Sequence, residues 1–125
     1  MEILEINHIQ VTVPEDALEG SKHFYGSILG LEEIPRPSTT SRRGGAWYRL
    51  GRIEIHLSVE DEALSNPASK RHICYLVGDL ESAEAGLKRA GVEILPDERP
   101  IKGWKRFYVR DPGGNKIEIA EQPER

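Results

Sequence analysis

The sequence predicts an α+β fold in which one structural unit occurs twice. His8 opens the strand-like run HIQVTV, and His72 opens the similar run HICYLV, 64 residues later (72 − 8). The tripeptide Ile-Glu-Ile recurs with the same offset, centred on Glu54 and then on Glu118 (118 − 54 = 64). Each half therefore places a histidine and a glutamate 46 residues apart, although the intervening loops differ in length. Such a repeat indicates two copies of one supersecondary unit.

Each half is predicted to contain a strand, a helix and three further strands. Apolar residues alternate in the strands and follow helical spacing in residues 16–29 and 80–90, which end near Gly30 and Gly91. Glycine-containing turns, at Gly51 and in DPGGN at 111–115, join the last two strands of each half. The predicted strands are 8–13, 31–34, 46–50 and 52–59 in the first half, and 72–77, 92–95, 106–110 and 116–121 in the second.

The chain length favours one domain. A chain of 125 residues is long enough for a single compact core, so one domain covering 1–125 is predicted. Its first module is expected over about 1–60 and its second over about 70–122. The polar segment at about 61–69, which contains Asn66-Pro67, is interpreted as the linker between the modules.

Composition and charge argue against several classes of protein. The formal net charge is −4 and the basic residues are scattered, so nucleic-acid binding is not expected. No segment approaches the roughly 20 apolar residues of a membrane span, and no cationic leader precedes an apolar run. A cytoplasmic protein without membrane contact is therefore expected. Cys74 is the single cysteine, which excludes an intrachain disulfide.

Histidine and carboxylate side chains occupy strand positions whose neighbours are apolar. Because alternate residues of a strand share a face, Glu118 points away from the isoleucines beside it. Imidazole nitrogens and carboxylate oxygens together suit divalent zinc, nickel, iron or manganese, so His8, Glu54, His72 and Glu118 are candidate metal ligands. The alternative is that each sheet has a solvated face on which these are ordinary exposed residues. The shared register of the four favours the metal site.

Several motifs extend over essentially the whole chain and indicate a family. Two βαβββ modules, a histidine at the start of each first strand, HFYGSILGLE in the first helix and RDPGGNKIEI at the end resemble the vicinal oxygen chelate superfamily. This superfamily includes glyoxalase I, fosfomycin-resistance proteins, methylmalonyl-CoA epimerase, extradiol dioxygenases and bleomycin-binding proteins. The resemblance implies curled mixed sheets that form a cleft. In chains of this size it also implies a homodimer whose active site combines modules of two subunits.

The resemblance also implies which residues bind the metal. The ligands of the two first strands fall on His8 and His72, and that of the last strand falls on Glu118. Two residues compete for the fourth position: Glu54 is the symmetry mate of Glu118, whereas His56 lies two residues on and on the same face. We favour Glu54. Glu118, Glu54 and His56 are the expected proton carriers. A ligand carboxylate, Glu118 or Glu54, could leave the metal and move a proton, and whichever of Glu54 and His56 is not a ligand would line the same cleft.

The resemblance leaves two functions open. The first is a metal-dependent enzyme of the glyoxalase or dioxygenase type, a lyase, isomerase or dioxygenase, acting on a small oxygen-rich substrate through bidentate metal coordination and proton transfer. The alternative is a non-catalytic protein that binds a drug or metabolite in the dimer cleft, as bleomycin-resistance relatives do. Those relatives generally lack the metal ligands. The extended loops of fosfomycin-resistance proteins are not present, so no substrate is assigned.

The sequence also predicts the positions of several side chains that are not candidate ligands. Cys74 should share a face with His72 and is expected to be a small buried residue. Trp104 is either a lid over a pocket or an edge cap. Trp47 and Arg49 share one strand face, as do Phe107 and Val109, and these faces are predicted to line the cleft.

Overall fold

The computed structural model describes residues 1–40, 42–61 and 69–122. The chain divides between residues 65 and 66 into two compact units, the first unit and the second unit. Residues 62–68, most of the predicted linker, lie outside the described residues. Among the residues that are described, no helix is long and apolar enough to cross a membrane.

The first unit contains a four-stranded mixed sheet with a helical segment between its first two strands. The helical segment consists of a 3-10 turn (Glu15–Ala17), the helix α1 (Leu18–His23) and a π-helical turn (Phe24–Ile28), where the sequence predicts one helix over 16–29. The strand order is β1-β4-β3-β2, with β1 and β4 parallel and the other pairs antiparallel. The strands are β1 (His8–Val13), β2 (Glu32–Ile34), β3 (Gly45–Leu50) and β4 (Ile53–Val59).

The second unit repeats this arrangement with a smaller sheet. In its described part, β5 (Ile73–Val77), β6 (Arg106–Arg110) and β7 (Lys116–Glu121) form a sheet in the order β5-β7-β6. As in the first unit, the first strand is parallel to the last, and the hairpin strands are antiparallel. The helix α2 (Leu80–Arg89) begins at Asp79, whose carboxylate accepts a 3.1 Å hydrogen bond from the Ser82 amide. The predicted α+β class is confirmed.

The predicted strand over 92–95 is wrong. Within the described residues, only Leu95 pairs with a strand, through two backbone hydrogen bonds of 2.7 and 2.9 Å with Tyr108. The Val92 amide donates a 2.9 Å hydrogen bond to the Leu87 carbonyl and so caps the C-terminal end of α2. Pro96 follows Leu95 and has no amide hydrogen for a ladder. The pairing therefore stops after one residue.

Each sheet has one face that is closed by apolar packing and another that carries polar side chains. In β7, Ile117 and Ile119 are buried, and they pair with Val109 and Phe107 of β6. Glu118 lies between them and points to the opposite face. In the first unit, Ile55 and Leu57 of β4 are likewise buried. The alternation in the sequence therefore predicts correctly which side of β4 and β7 holds the carboxylates.

Candidate functional site

In the first unit, neighbouring strands place four side chains of the polar face side by side. His8 of β1 is directly paired with Glu54 of β4, and His56 of β4 is paired with Trp47 of β3. The His56 ring stacks on the Trp47 ring, with centroids 3.8 Å apart and planes 2° apart. It also stacks on the His8 ring, at 4.1 Å and 14°. Since both contacts are parallel, His56 lies between the other two rings.

Besides these two stacked rings, His56 contacts Glu54. His56 is 5% exposed, and its Nε2 lies 2.8 Å from Oε1 of Glu54. The Glu54 side chain is more open, at 30% exposed. The carboxylate is therefore oriented by an imidazole that is itself fixed by the two flanking rings.

His8 is exposed and has its own orienting bond. Its Nδ1 lies 2.8 Å from the side-chain oxygen of Asn7. An amide oxygen only accepts hydrogen bonds, so Nδ1 of His8 is the donor. In the neutral ring, Nε2 then carries the lone pair and is available to a ligand or metal.

In the second unit, Glu118 is the centre of a hydrogen-bonded cluster. The residue is 3% exposed. Its Oε1 lies 3.0 Å from Nε2 of His72 and 3.4 Å from Nη1 of Arg106. Its Oε2 accepts a 2.8 Å hydrogen bond from Nε1 of Trp104 and a 3.4 Å one from Sγ of Cys74. Trp104 thus contacts the carboxylate itself, whereas the interpretations as a lid over a pocket and as an edge cap both stay predictions.

These contacts keep Glu118 charged. Burial alone would raise the pKa of this carboxyl group, but the hydrogen bonds from Trp104 and Cys74 and the charge of Arg106 outweigh burial and hold the pKa below its ordinary value. Glu118 is therefore ionised at neutral pH. An ionised carboxylate can bind a cation or accept a proton.

His72 has the same orienting arrangement as His8. Its Nδ1 lies 2.8 Å from the Lys70 carbonyl oxygen, so Nδ1 is the donor. In the neutral ring, the lone pair of Nε2 faces Oε1 of Glu118 at 3.0 Å. Two acceptors at this distance repel each other unless a cation lies between them, either a proton on Nε2 or a metal ion.

Arg106 and Asp97 form an ion pair beside Glu118 that the sequence does not predict. Nε of Arg106 lies 2.9 Å from Oδ2 of Asp97, and both side chains are 12% exposed. The hydrogen bond from Arg106 lowers the pKa of Asp97, and the same bond raises that of Arg106. Nη2 of Arg106 also donates to the Arg99 carbonyl at 3.1 Å. These contacts hold residues 97–99, which precede Trp104 in the chain, against the start of β6.

The predicted lining by Phe107 and Val109 is wrong. They are 4% and 0% exposed and belong to the apolar side of the sheet. Tyr108 lies between them in β6 and is directly paired with Glu118, so it shares the polar face. The sequence could have predicted Tyr108 on the polar face, because two apolar residues flank Tyr108 in β6 as two isoleucines flank Glu118 in β7.

Cys74 differs from its prediction as a buried residue. It is exposed, and its thiol donates to Glu118. Partial burial of the sulfur, together with the hydrogen bond and charge of Glu118, raises the pKa of Cys74 to about 11. The thiol is therefore protonated at neutral pH and serves as a hydrogen-bond donor.

Within each unit, the structure places one predicted histidine beside one predicted glutamate. His8 and Glu54 are paired positions of the first unit, and His72 contacts Glu118 in the second. Over residues 1–40, 42–61 and 69–122, no three histidine, cysteine, aspartate or glutamate side chains are arranged as a complete metal site.

The chain belongs to the glyoxalase/bleomycin resistance protein/dioxygenase superfamily, whose family model matches residues 5–119. Its fold is similar to a crystal structure of a protein assigned to the glyoxalase family from Bacillus anthracis, with 39% identity, 98% of each chain covered and a TM-score of 0.82. The chain is 28% identical to the Bacillus subtilis protein YwkD, over 98% of this chain and 100% of YwkD. It is also 25% identical to mitochondrial methylmalonyl-CoA epimerase of Bos taurus, over 93% of this chain and 73% of the epimerase.

Proposed function

We propose that the protein is a metal-dependent enzyme acting on a small oxygen-rich molecule, with His8, Glu54, His72 and Glu118 as the metal ligands. The observation that carries the proposal is the His72 and Glu118 pair. Nδ1 of His72 donates its hydrogen bond to the Lys70 carbonyl, so the lone pair of the neutral ring is on Nε2. This nitrogen lies 3.0 Å from an oxygen of the ionised Glu118, and a cation between the two atoms would remove their repulsion. The equivalent histidine of the first unit has the same Nδ1 arrangement.

The donor chemistry fits a divalent ion. Two imidazole nitrogens and two carboxylates are a ligand set of zinc, nickel, iron and manganese, and the two negative charges balance a charge of +2. Side chains that orient these ligands are also present, since Asn7 bonds His8 and His56 bonds Glu54. A bound ion would polarise two neighbouring substrate oxygens and stabilise the negative charge that develops on them.

Glu54 is the better fourth ligand. Both faces of the His56 ring are covered, and its Nε2 is directed at Glu54. His56 is therefore suited to orient Glu54 and to relay a proton from it. His56 as the ligand would require the stack to open, which costs the two ring contacts.

The chain's own carboxylates are the proposed proton carriers. Glu118 is ionised, and its oxygens face different partners, with Trp104 on Oε2 and His72 on Oε1. A proton taken up on Glu118 during turnover would weaken the hydrogen bonds to the charged form, so the group returns the proton readily. Glu54 with His56 provides a second carrier of the same kind.

The functional unit is proposed to be a homodimer. A complete ligand set requires both pairs, and the family resemblance favours a composite site in which His8 and Glu54 of one protomer join His72 and Glu118 of the other. A small-molecule substrate would then bind at the junction of two subunits.

The test is metal binding by tag-free protein that has been stripped with a chelator and dialysed. Calorimetry and elemental analysis should give one divalent ion per chain for the wild type, and His72→Ala and Glu118→Ala should each lower the affinity at least about 100-fold. His23→Ala is the matched control, because His23 is exposed on α1 and has no part in the site. Unchanged affinity in both site variants would overturn the proposal.

A second candidate function is non-catalytic binding of an aromatic drug or metabolite. The stacked Trp47, His56 and His8 rings favour it, because they present an aromatic surface on the first unit. Such binding should persist after the metal is removed with a chelator. Binding of a metal-requiring substrate should be lost.

A further inference from the structure

We propose that Arg110 and Lys116, beside Tyr108, form a subsite that binds the anionic group of the substrate, which would make the substrate a small acid. These three residues are called the acid subsite. The assignment of its occupant as the substrate rests on the proposed function. Binding of an oxyanion by the acid subsite does not, because none of its residues is a proposed metal ligand.

The acid subsite lies one step along the sheet from Glu118. Arg110 and Lys116 are directly paired between β6 and β7, and the next pair of the same face is Tyr108 and Glu118. Side chains at directly opposed positions point to the same side of a sheet. Two residues of a strand span about 7 Å, so the Cα atom of Lys116 lies about that far from the Cα atom of Glu118, the residue whose carboxylate is proposed to bind the metal.

Within residues 1–40, 42–61 and 69–122, neither cation is paired with a carboxylate. Nζ of Lys116 lies over the Tyr108 ring, 4.4 Å from its centroid, and Nη1 of Arg110 donates to the Gly114 carbonyl at 2.8 Å. In the part of the chain that the structure describes, no ion pair includes either residue. Both are half-buried. Like charges at directly opposed positions destabilise an antiparallel pair, and partial burial increases the cost.

Two other cations, one on the same face and one at the corresponding position of the repeat, are each paired with a carboxylate. Arg106, on the same face, is paired with Asp97 at 2.9 Å. Arg52 is the residue that corresponds to Lys116 in the repeat, 64 positions earlier, and it is paired with Glu5 at 3.8 Å with its side chain 90% exposed. The acid subsite is thus a feature of the second unit and not of the repeat itself.

An oxyanion would remove this cost. A carboxylate or phosphate bound between Lys116 and Arg110 would neutralise both cations and accept several of their remaining hydrogen atoms. The chain as a whole has a net charge of −4, so a general excess of basic residues does not account for the local pair. The substrate would therefore carry an acid group separate from the two oxygens that coordinate the metal.

The first experiment uses protein stripped of metal, so that it does not depend on the metal site. Inorganic phosphate and succinate are titrated by calorimetry at low ionic strength into the wild type, Lys116→Gln, Arg110→Gln and the control Lys88→Gln. Lys88 is an exposed helix residue paired with Glu84. Each subsite variant should bind the anion that the wild type prefers at least about fivefold more weakly, and the control should bind it equally well. Thermal unfolding checks that each variant is folded.

The second experiment uses metal-loaded protein and compares 2-oxoglutarate with 2-oxopentanoate. Both offer the same pair of chelating oxygens, but only the first has a distal carboxylate. The wild type should prefer 2-oxoglutarate by about tenfold, and Lys116→Gln and Arg110→Gln should reduce that preference to within about twofold.

The outcomes separate the two proposals. Equal anion binding by the wild type, both subsite variants and the control, or no anion binding by the folded wild type, overturns the acid subsite even if the metal binds. Failure of the wild type to bind metal overturns the proposed function, while the result with metal-free protein still decides whether the acid subsite exists.

Discussion

Nε1 of Trp104 donates a 2.8 Å hydrogen bond to Oε2 of Glu118, while the other oxygen of the same carboxylate faces His72. The indole therefore occupies Oε2, and in the proposed metal site Oε1, which faces His72, is the oxygen that would bind the ion. It is also one of the bonds that lower the pKa of this buried carboxyl group despite the opposing effect of burial. This single contact connects the segment before β6 to the proposed chemistry of β7.

Replacing Trp104 by phenylalanine should weaken metal binding without removing a ligand. Phenylalanine keeps most of the ring but has no N–H, so Glu118 loses its shortest hydrogen bond and its orientation. We expect the affinity for a divalent ion, measured by calorimetry, to fall about tenfold. Trp47→Phe is the control, because it is the same substitution at a tryptophan that contacts His56 by ring stacking, which phenylalanine retains, so its effect should be smaller.

The acid stability of the protein should depend on Glu118. Its pKa in the folded chain is lower than the ordinary value of 4.5. The ionised form therefore stabilises the fold above pH 4.5, and this contribution is lost as the pH falls through the folded-state pKa. Urea unfolding from pH 3 to pH 7 should show a smaller decline toward acid for Glu118→Gln than for the wild type. Glu98→Gln, at an exposed position, should decline like the wild type.

Substitutions at Glu54 and His56 should separate the ligand from the residue that orients it. Glu54→Ala should lower metal affinity at least about 100-fold, because a ligand is lost. His56→Phe keeps a ring between Trp47 and His8 but removes Nε2, so metal affinity should fall only about tenfold. The reverse order of the two effects would make His56 the ligand. Thermal unfolding should show that His56→Phe is folded.

Subunit complementation should reveal whether the site is composite. A His8→Ala chain mixed with a Glu118→Ala chain should form heterodimers with one intact and one doubly damaged site. With equal amounts and random pairing, half of the dimers are mixed, so about a quarter of the wild-type metal sites should return.

Mass spectrometry of the mixture must first demonstrate subunit exchange. No recovered metal binding despite exchange would mean that each chain supplies a whole site by itself. A metal-loaded monomer in sedimentation at micromolar concentration would lead to the same conclusion.

The repeat predicts most of the strands and both helical segments, but it does not predict the loops or the helix ends. The strands that carry Glu54 and Glu118 were found correctly, because alternation of apolar residues is a local property. The strand over 92–95 was not, since the Val92 amide hydrogen bonds to the end of α2 and the extension beyond Leu95 is stopped by Pro96. The apolar pattern of residues 92–95 does not indicate that a backbone amide of this segment bonds to the helix instead of to a strand.

The sequence by itself determined that a histidine and a glutamate stand in the same register in each half, and that Glu118 lies on the polar side of β7. Both follow from residue spacing and from the two-residue period of a strand. Only the tertiary structure decided the partners of these side chains. His56 is enclosed by Trp47 and His8 because β4 lies between β3 and β1. Glu118 is bound by Arg106 because β6 pairs with β7, and by Trp104 because the segment before β6 reaches the same carboxylate. Such contacts join residues distant along the chain, so no local pattern contains them.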